Sequence, residues 1–382
     1  MKRRGLQKMR NLIRLATADY RIVLLAMIGV LAISLGCVYD SYTNDAMPTA
    51  SEPGEPIVQS SFTGQWLIEF RTGDVQVQLS LRYRSSRNGP GFSNNSFPVT
   101  PDQLQGLARE QAMSSSGTRV QFQLKRDAGT FNCEGWFRDG QGSGHFVFSA
   151  DPAFAAELKR EGYGQPSAEQ QFSMALHDVS LAFIAELKAL GYQRPTLDQL
   201  VEAGEHGVRL DYLKGLQALG YNLRTLESLI EMKDHGVSLV YIREMAALGF
   251  DKLSAAQLVE TKDHGVSPDF VKAFRAAGYD KLSLSQLIEA KDHGASARFV
   301  AELQALGYSG LSIEELIEMK DHGVKAGFIR DLKQLGYEHL SVDQLIRLSD
   351  HGISIAFIRK MKARGYNNLD QIVGLGDRGE EN

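Results

Sequence analysis

Residues 262–290 read KDHGVSPDFVKAFRAAGYDKLSLSQLIEA, and KDHG begins again at residue 291. His177, His206, His235, His264, His293, His322 and His351 each lie 29 residues from the last. Other columns keep the same step. An aromatic recurs at Phe183, Tyr212, Tyr241, Phe270, Phe299, Phe328 and Phe357, and a Ser or Thr at Ser167, Thr196, Thr225, Ser254, Ser283, Ser312 and Ser341. A second aromatic follows glycine at Tyr192, Tyr221, Phe250, Tyr279, Tyr308, Tyr337 and Tyr366. Self-similarity at this period is the signature of a solenoid.

Within one unit, residues 180–208, the local signals predict two helices. Ser180 is placed to cap the first, and Phe183, Ile184, Leu187 and Leu190 fall on one face. Gly191 stops it, with Tyr192 folding back onto Leu187 as in a Schellman cap. Thr196 and Gln199 form a capping box for the second helix, which Gly207 and Val208 end. Helices of about 11 residues are marginal alone, so each unit must bury its neighbour's apolar face. Residues 151–382 therefore read as an α-solenoid of about eight repeats. The last is degenerate: Leu369-Asp370-Gln371-Ile372 arrives two residues early.

Working back towards the N-terminus, residues 61–150 change period from helical to two. Val75, Val77, Leu79, Leu81 and Tyr83 alternate with polar residues, and similar runs occupy 65–71, 118–126, 130–138 and 144–149. Asp127-Ala128-Gly129 and Asp139-Gly140-Gln141-Gly142 supply hairpin turns, and Thr100-Pro101-Asp102-Gln103 predicts the start of one short helix. The expectation is a small antiparallel β domain, curled into a half-barrel or sandwich. Trp66, Phe70, Phe131, Trp136, Phe137, Phe146 and Phe148 would fill it or line a ligand cleft. The whole chain is thus a multidomain α+β protein.

Residues 40–60 are polar and Pro-containing, the composition of a flexible linker. Before them, residues 22–39 read IVLLAMIGVLAISLGCVY without a charge. Eighteen apolar residues rise about 27 Å as a helix, close to the ~30 Å of a bilayer core. Residues 1–21 carry seven basic side chains against Asp19, so a chain of net charge −4 holds about −10 beyond them. Basic flanks stay cytoplasmic, so the remainder would be extracytoplasmic, on the periplasmic side. Residues 22–39 are read as a transmembrane signal anchor or signal sequence. Gly36-Cys37 leaves lipidation at Cys37 open, and cleavage is a further alternative. A net-acidic folded part lacks the electrostatic footprint of a nucleic-acid binder.

The histidine column invites a metal reading, but stacked layers set one His per layer, roughly 8–10 Å apart, and zinc needs several ligands at ~2 Å. No metal, cofactor or catalytic residue is assigned. His206, His235, His264, His293, His322 and His351 are expected to cap helix C-termini by donating to terminal carbonyls. Asp234, Asp263, Asp292 and Asp321 just before them sit where helix dipoles disfavour negative charge, so each is expected to turn to the N–H groups opening the next first helix. Cys133 and His145 form a conceivable but unsupported dyad. There is no HExxH, GxSxG, P-loop or dinucleotide fingerprint.

The repeat at 262–290, with GTFNCEGWFRDGQGSGHFVFSADPAF at 129–154, resembles bacterial envelope proteins that carry DHGV-type repeats. These are similar to the extracytoplasmic tails of membrane metallopeptidases related to β-lactam sensors. The resemblance spans roughly residues 61–370 and implies a membrane-linked protein with a part in sensing. The peptidase motif is absent, so no catalytic residue carries over. The leading expectation is a non-enzymatic, membrane-tethered scaffold binding a protein or cell-envelope component. Its surface would be built from positions that vary between units, marked by Asp211, Val240, Asp269, Arg298 and Gly327. The alternative is a sensory subunit whose β domain takes a small ligand and whose repeats relay to a partner.

Overall fold

A computed structural model describes residues 62–71, 73–85 and 91–379. The apolar run 22–39, Cys37 and the linker 40–60 lie outside the described residues. Among the described residues no helix is long and apolar enough to cross a membrane. Residues Gln59–Asn382 make up one compact unit.

Seven antiparallel strands open this unit: β1 (Thr63–Glu69), β2 (Val77–Ser85), β3 (Gly91–Val99), β4 (Leu104–Gln105), β5 (Thr118–Arg126), β6 (Gly129–Arg138) and β7 (Gln141–Ala150). They lie in the order β3-β2-β1-β7-β6-β5-β4. Strand alternation sends Trp66, Ile68, Leu79, Leu81, Phe122, Phe131, Phe137, Phe146 and Phe148 to one buried face. Glycines on that face make room for the rings. A Cβ at Gly142 would lie 2.3 Å from the Phe137 ring, and one at Gly135 would lie 2.7 Å from Trp66. The sheet curls towards the rings, as the half-barrel reading required: Trp66 on β1 and Phe122 on β5 are three strands apart in order, yet their ring centres are 5.0 Å apart.

Two sequence expectations change here. Strand β3 (GFSNNSFPV) escapes a hydrophobic-alternation reading because it is polar and contains Pro98. Proline is tolerated because β3 is an edge strand with β2 as its single neighbour. The Thr100 box closes as expected, with Gln103 Oε1 accepting from the Thr100 N–H at 2.9 Å. It opens only a 3-10 turn, Pro101–Gln103, which β4 ends at once; the short α-helix follows at Arg109–Ala112.

Phe172, in the helix Ala168–Leu176, plugs the curled sheet. Its ring meets Phe62, Tyr83, Phe131, Phe146 and Phe148 with centres 4.5–6.5 Å away. Polar contacts fasten the same seam. Gln171 Nε2 donates to the carbonyls of Ala128 (3.0 Å) and Asp151 (2.6 Å). Asp127 accepts from the Leu181 N–H at 2.9 Å, and Arg126 pairs with Asp178 at 3.3 Å. The β domain thus closes the exposed end of the helical stack.

From Pro152 to Asp377 the chain is helical, and every helix is nine residues long, two fewer than the sequence reading. Pro152–Arg160 opens the series. First helices then run Leu181–Ala189, Leu210–Ala218, Leu239–Ala247, Pro268–Ala276, Ala297–Ala305, Ala326–Gln334 and Ile355–Ala363; second helices start at 168, 197, 226, 255, 284, 313, 342 and 369. Packing runs between helices of the same type in neighbouring units, as in a solenoid. The caps form as the sequence predicts: Thr196 Oγ1 accepts from the Gln199 N–H at 3.2 Å, and the Tyr192 N–H donates to Leu187 O at 3.0 Å. Inside, Leu200, Leu229, Leu258, Leu287, Leu316 and Leu345 form one buried column, and Leu216, Met245, Phe274, Leu303, Leu332 and Met361 another.

Candidate functional site

The five variable positions all lie exposed at the second residue of successive first helices. They are Asp211, Val240, Asp269, Arg298 and Gly327. Because first helices pack on first helices, these positions form a stripe along one edge of the array. Its chemistry changes unit by unit from acid to apolar to acid to base to glycine. Val240 is 58% exposed, a large apolar side chain held in water.

The frame under the stripe is fastened by polar contacts that repeat with the sequence. His206, His235, His264, His293 and His322 each set Nδ1 2.5–2.8 Å from a carboxylate oxygen of the next unit's aspartate, in turn Asp234, Asp263, Asp292, Asp321 and Asp350. His351 finds Asp377 at 2.6 Å, so the two-residue deletion does not break this ladder. Both sequence expectations about these columns are thereby corrected. The aspartates do not cap the following first helix, because serines such as Ser238 and Ser267 already accept from its N–H groups. The histidines turn outward to the next layer rather than to their own terminal carbonyls. A carboxylate at a helix C-terminus is tolerated here because a neighbouring imidazole offsets the dipole. The Asp263, Asp292 and Asp350 carboxylates raise the pKa values of His235, His264 and His322.

Three further contacts share the period. Lys233, Lys262, Lys291 and Lys320 place Nζ 4.7–5.1 Å above the rings of Tyr212, Tyr241, Phe270 and Phe299. The phenols of Tyr221, Tyr279 and Tyr308 donate to the carbonyls of Leu253, Leu311 and Leu340 at 2.7–2.8 Å. Arg275 and Lys333 donate to Leu248 O and Leu306 O, which end the preceding first helices. Tyr337 Oη is buried without a hydrogen-bond partner, because its counterpart carbonyl would fall in the stretch shortened by two residues.

The regular pattern breaks at the seam with the sheet. His177 has Glu205, not aspartate, at its ladder position, and Asp178 at φ 57° stands where the following units have glycine. The imidazole is half-buried and lies with Nε2 3.5 Å from Asn95 Nδ2 of β3. Burial, aided by Arg209, pushes the His177 pKa down to about 4. Beside it is a cleft of about 600 Å³ whose walls include Phe62, Tyr83, Glu169, Phe172, His177 and Glu205. The sequence reading missed this site. Its signals were Asp178 in place of glycine and Glu205 in place of aspartate, two departures from otherwise regular columns.

The β domain carries no nucleophilic dyad at Cys133. Strand alternation puts Cys133 on the ring-filled face and His145, paired opposite Glu134, on the other. Burial pushes the Cys133 thiol up to about 12. Rings fill the curled interior, and the outer face bears clefts of about 600 Å³ on both sides of His145. Among the described residues no group of three or more His, Cys, Asp or Glu side chains is arranged to hold a metal ion.

Comparison of the chain with models of known protein families, with curated proteins and with solved structures finds no match.

Proposed function

We propose that this chain is a membrane-tethered, extracytoplasmic interaction scaffold that binds a protein or cell-envelope partner along its helical array. The observation that carries the reading is the stripe from Asp211 to Gly327: five exposed positions, occupied by two acids, an apolar residue, a base and a glycine, held in register on a repeated frame. Exposed positions that change from unit to unit, over a buried column such as Leu200 to Leu345 that does not, are what selective recognition needs from a repeat protein. Residues 22–39 would anchor the chain, and the resemblance to envelope proteins with DHGV-type repeats fits that location. The reading assigns no catalytic group and no nucleic-acid partner.

A second reading is a sensory subunit in which a small ligand near the β domain biases the array. The tight seam around Phe172 and Gln171 favours it, since a ligand held there would touch both parts.

The test is crosslinking and affinity capture from native membranes with the full chain. A D211A/V240A/D269A/R298A variant serves as the comparison. Loss of a partner with the variant, at unchanged melting temperature, supports the scaffold. Identical captured sets would overturn the assignment of this stripe. Protease treatment of spheroplasts tests location: residues 61–382 should be cleaved while the inner membrane is intact, and protection until that membrane is lysed would overturn the extracytoplasmic assignment.

A further inference from the structure

The two helix layers of the array differ in charge. In every second helix, from Ala168–Leu176 to Leu369–Asp377, acids outnumber bases; in no first helix, from Leu181–Ala189 to Ile355–Ala363, do they. Part of that acid is already engaged. The aspartates ending the second helices are held by the histidine ladder, and Glu227 and Glu314 accept from Gln199 and Gln286. One exposed column is left over, one residue per unit: Glu202, Glu231, Glu260, Glu289 and Glu318. Glu289 meets only the Ser285 hydroxyl, at 3.5 Å. The other four have no hydrogen-bond or ion-pair partner among the described residues.

The first helices carry an exposed basic column at the same step: Lys214, Arg243, Lys272, Arg330 and Arg359, broken once by Ala301. Lys214 and Lys272 lie 4.0 and 3.1 Å from Glu186 and Asp269. Arg243, Arg330 and Arg359 have no such partner among the described residues. Both columns point outward. On Leu210–Ala218 the buried residues are Tyr212, Leu213 and Leu216, and helical spacing sets Lys214 on the opposite side. On Leu226–Asp234 they are Leu226, Leu229 and Met232, with Glu231 opposite. First helices pack on first helices and second on second, so the columns run along opposite faces of the array. Within one molecule they do not meet.

We propose that a second copy of this chain docks alongside, its second-helix layer against the first-helix layer of its neighbour. Both columns advance one residue per layer at the same 29-residue step, so acid meets base in successive layers. A partner without the repeat has no such match of spacing. Contact between like layers would set arginine against arginine or glutamate against glutamate, which disfavours a twofold dimer. The contact is therefore heterologous, and it leaves the outer layers of a pair open to further copies. Arg347, the base in the acidic column, is neutralised by Asp370 at 2.8 Å. Exposed ion pairs are individually weak and screened by salt, so the association rests on several at once. This inference goes beyond the scaffold reading, since it needs no foreign partner and no residue of the stripe.

The experiment is sedimentation velocity of the full chain in nonionic detergent, over a concentration series at low salt and at 1 M salt. Mass should rise with concentration at low salt. The association should weaken at least tenfold at 1 M, where the Debye length falls to about 3 Å. R243E/R330E/R359E, which reverses the free bases, and E202K/E231K/E260K/E318K, which reverses the free acids, should each sediment as the monomer. Mixed one to one, the two variants should associate again. Melting curves show that each fold is intact, and R243E/R359E with E231K/E260K replace the larger sets if either unfolds. The proposal is overturned if the wild type is monomeric at low salt, if salt or the reversals leave association unchanged, or if the mixture stays monomeric. A monomeric chain that instead binds poly-aspartate or polylysine would assign the columns to a foreign charged partner, and that also overturns it. Each result is independent of whether the stripe captures a partner.

Discussion

The sheet and the array reach the same end, a dry interior, by opposite routes. In the sheet, contacts join residues far apart in sequence, and almost every one is unique: Trp66 over Gly135, Phe137 over Gly142, Phe172 against five rings. In the array the same few contacts recur every 29 residues, and each reaches only the adjacent layer. The sheet should therefore behave as one cooperative block, and the array as a chain of coupled local units.

Phe172→Ala attacks the seam where the two meet. It should cost about 3–5 kcal/mol, the range for deleting a buried phenylalanine. Trp66 fluorescence should then report a sheet transition separate from the helical signal in a denaturant melt. A single shared transition at the wild-type midpoint would break the comparison. Leu258→Ala, in a fully buried array column, should cost about 2–5 kcal/mol. Its damage should be local: hydrogen exchange speeds up in residues 226–290 while the amides of β5 and β6 stay protected. Gly144→Ala should cost about 1–3 kcal/mol by overpacking, since the new Cβ would lie 2.0 Å from Glu134 O. Here the loss should spread over all the strands, and protection confined to β6 and β7 would contradict cooperativity.

Proton linkage gives the smallest effects, of opposite sign at the seam and along the array. His177 is depressed to about 4 in the folded state, so its contribution is lost as pH falls from 6.5 towards 4. His177→Gln should remove that acid sensitivity, read from Tyr83 and Trp66 emission. The ladder histidines His235, His264 and His322 are raised, so their contribution is full below pH 6.5 and fades as pH climbs through the raised values. Array melts at low salt should therefore run slightly higher at pH 6 than at pH 8. The D263N/D292N/D350N variant should erase that difference. Exposed pairs are worth little, so a large shift here would mean the ladder does more than join layers.

The array was legible because its rules are short-range. Caps such as Thr196 with Gln199, stops such as Gly191 and buried columns such as Leu200 to Leu345 are set within one unit and then repeated. The stripe was legible for the same reason, since N2 of a capped helix faces water in every unit. Strand β3 was not, because its place at the edge depends on pairing with β2 and leaves little hydrophobic signal. The ladder was half legible: its columns stood out, but their partners did not, as His206 and Asp234 meet only when two layers stack.

By itself the sequence determined the repeat, its two-helix unit and the existence of a β segment ahead of it, because each follows from local periodicity and capping. Only the tertiary structure decided which histidine meets which aspartate, that Phe172 seals the curled sheet, and that Tyr83, Glu169 and Glu205 share one cleft. Those facts depend on distances between residues that the chain order separates, and no local pattern encodes a distance across a packed interface.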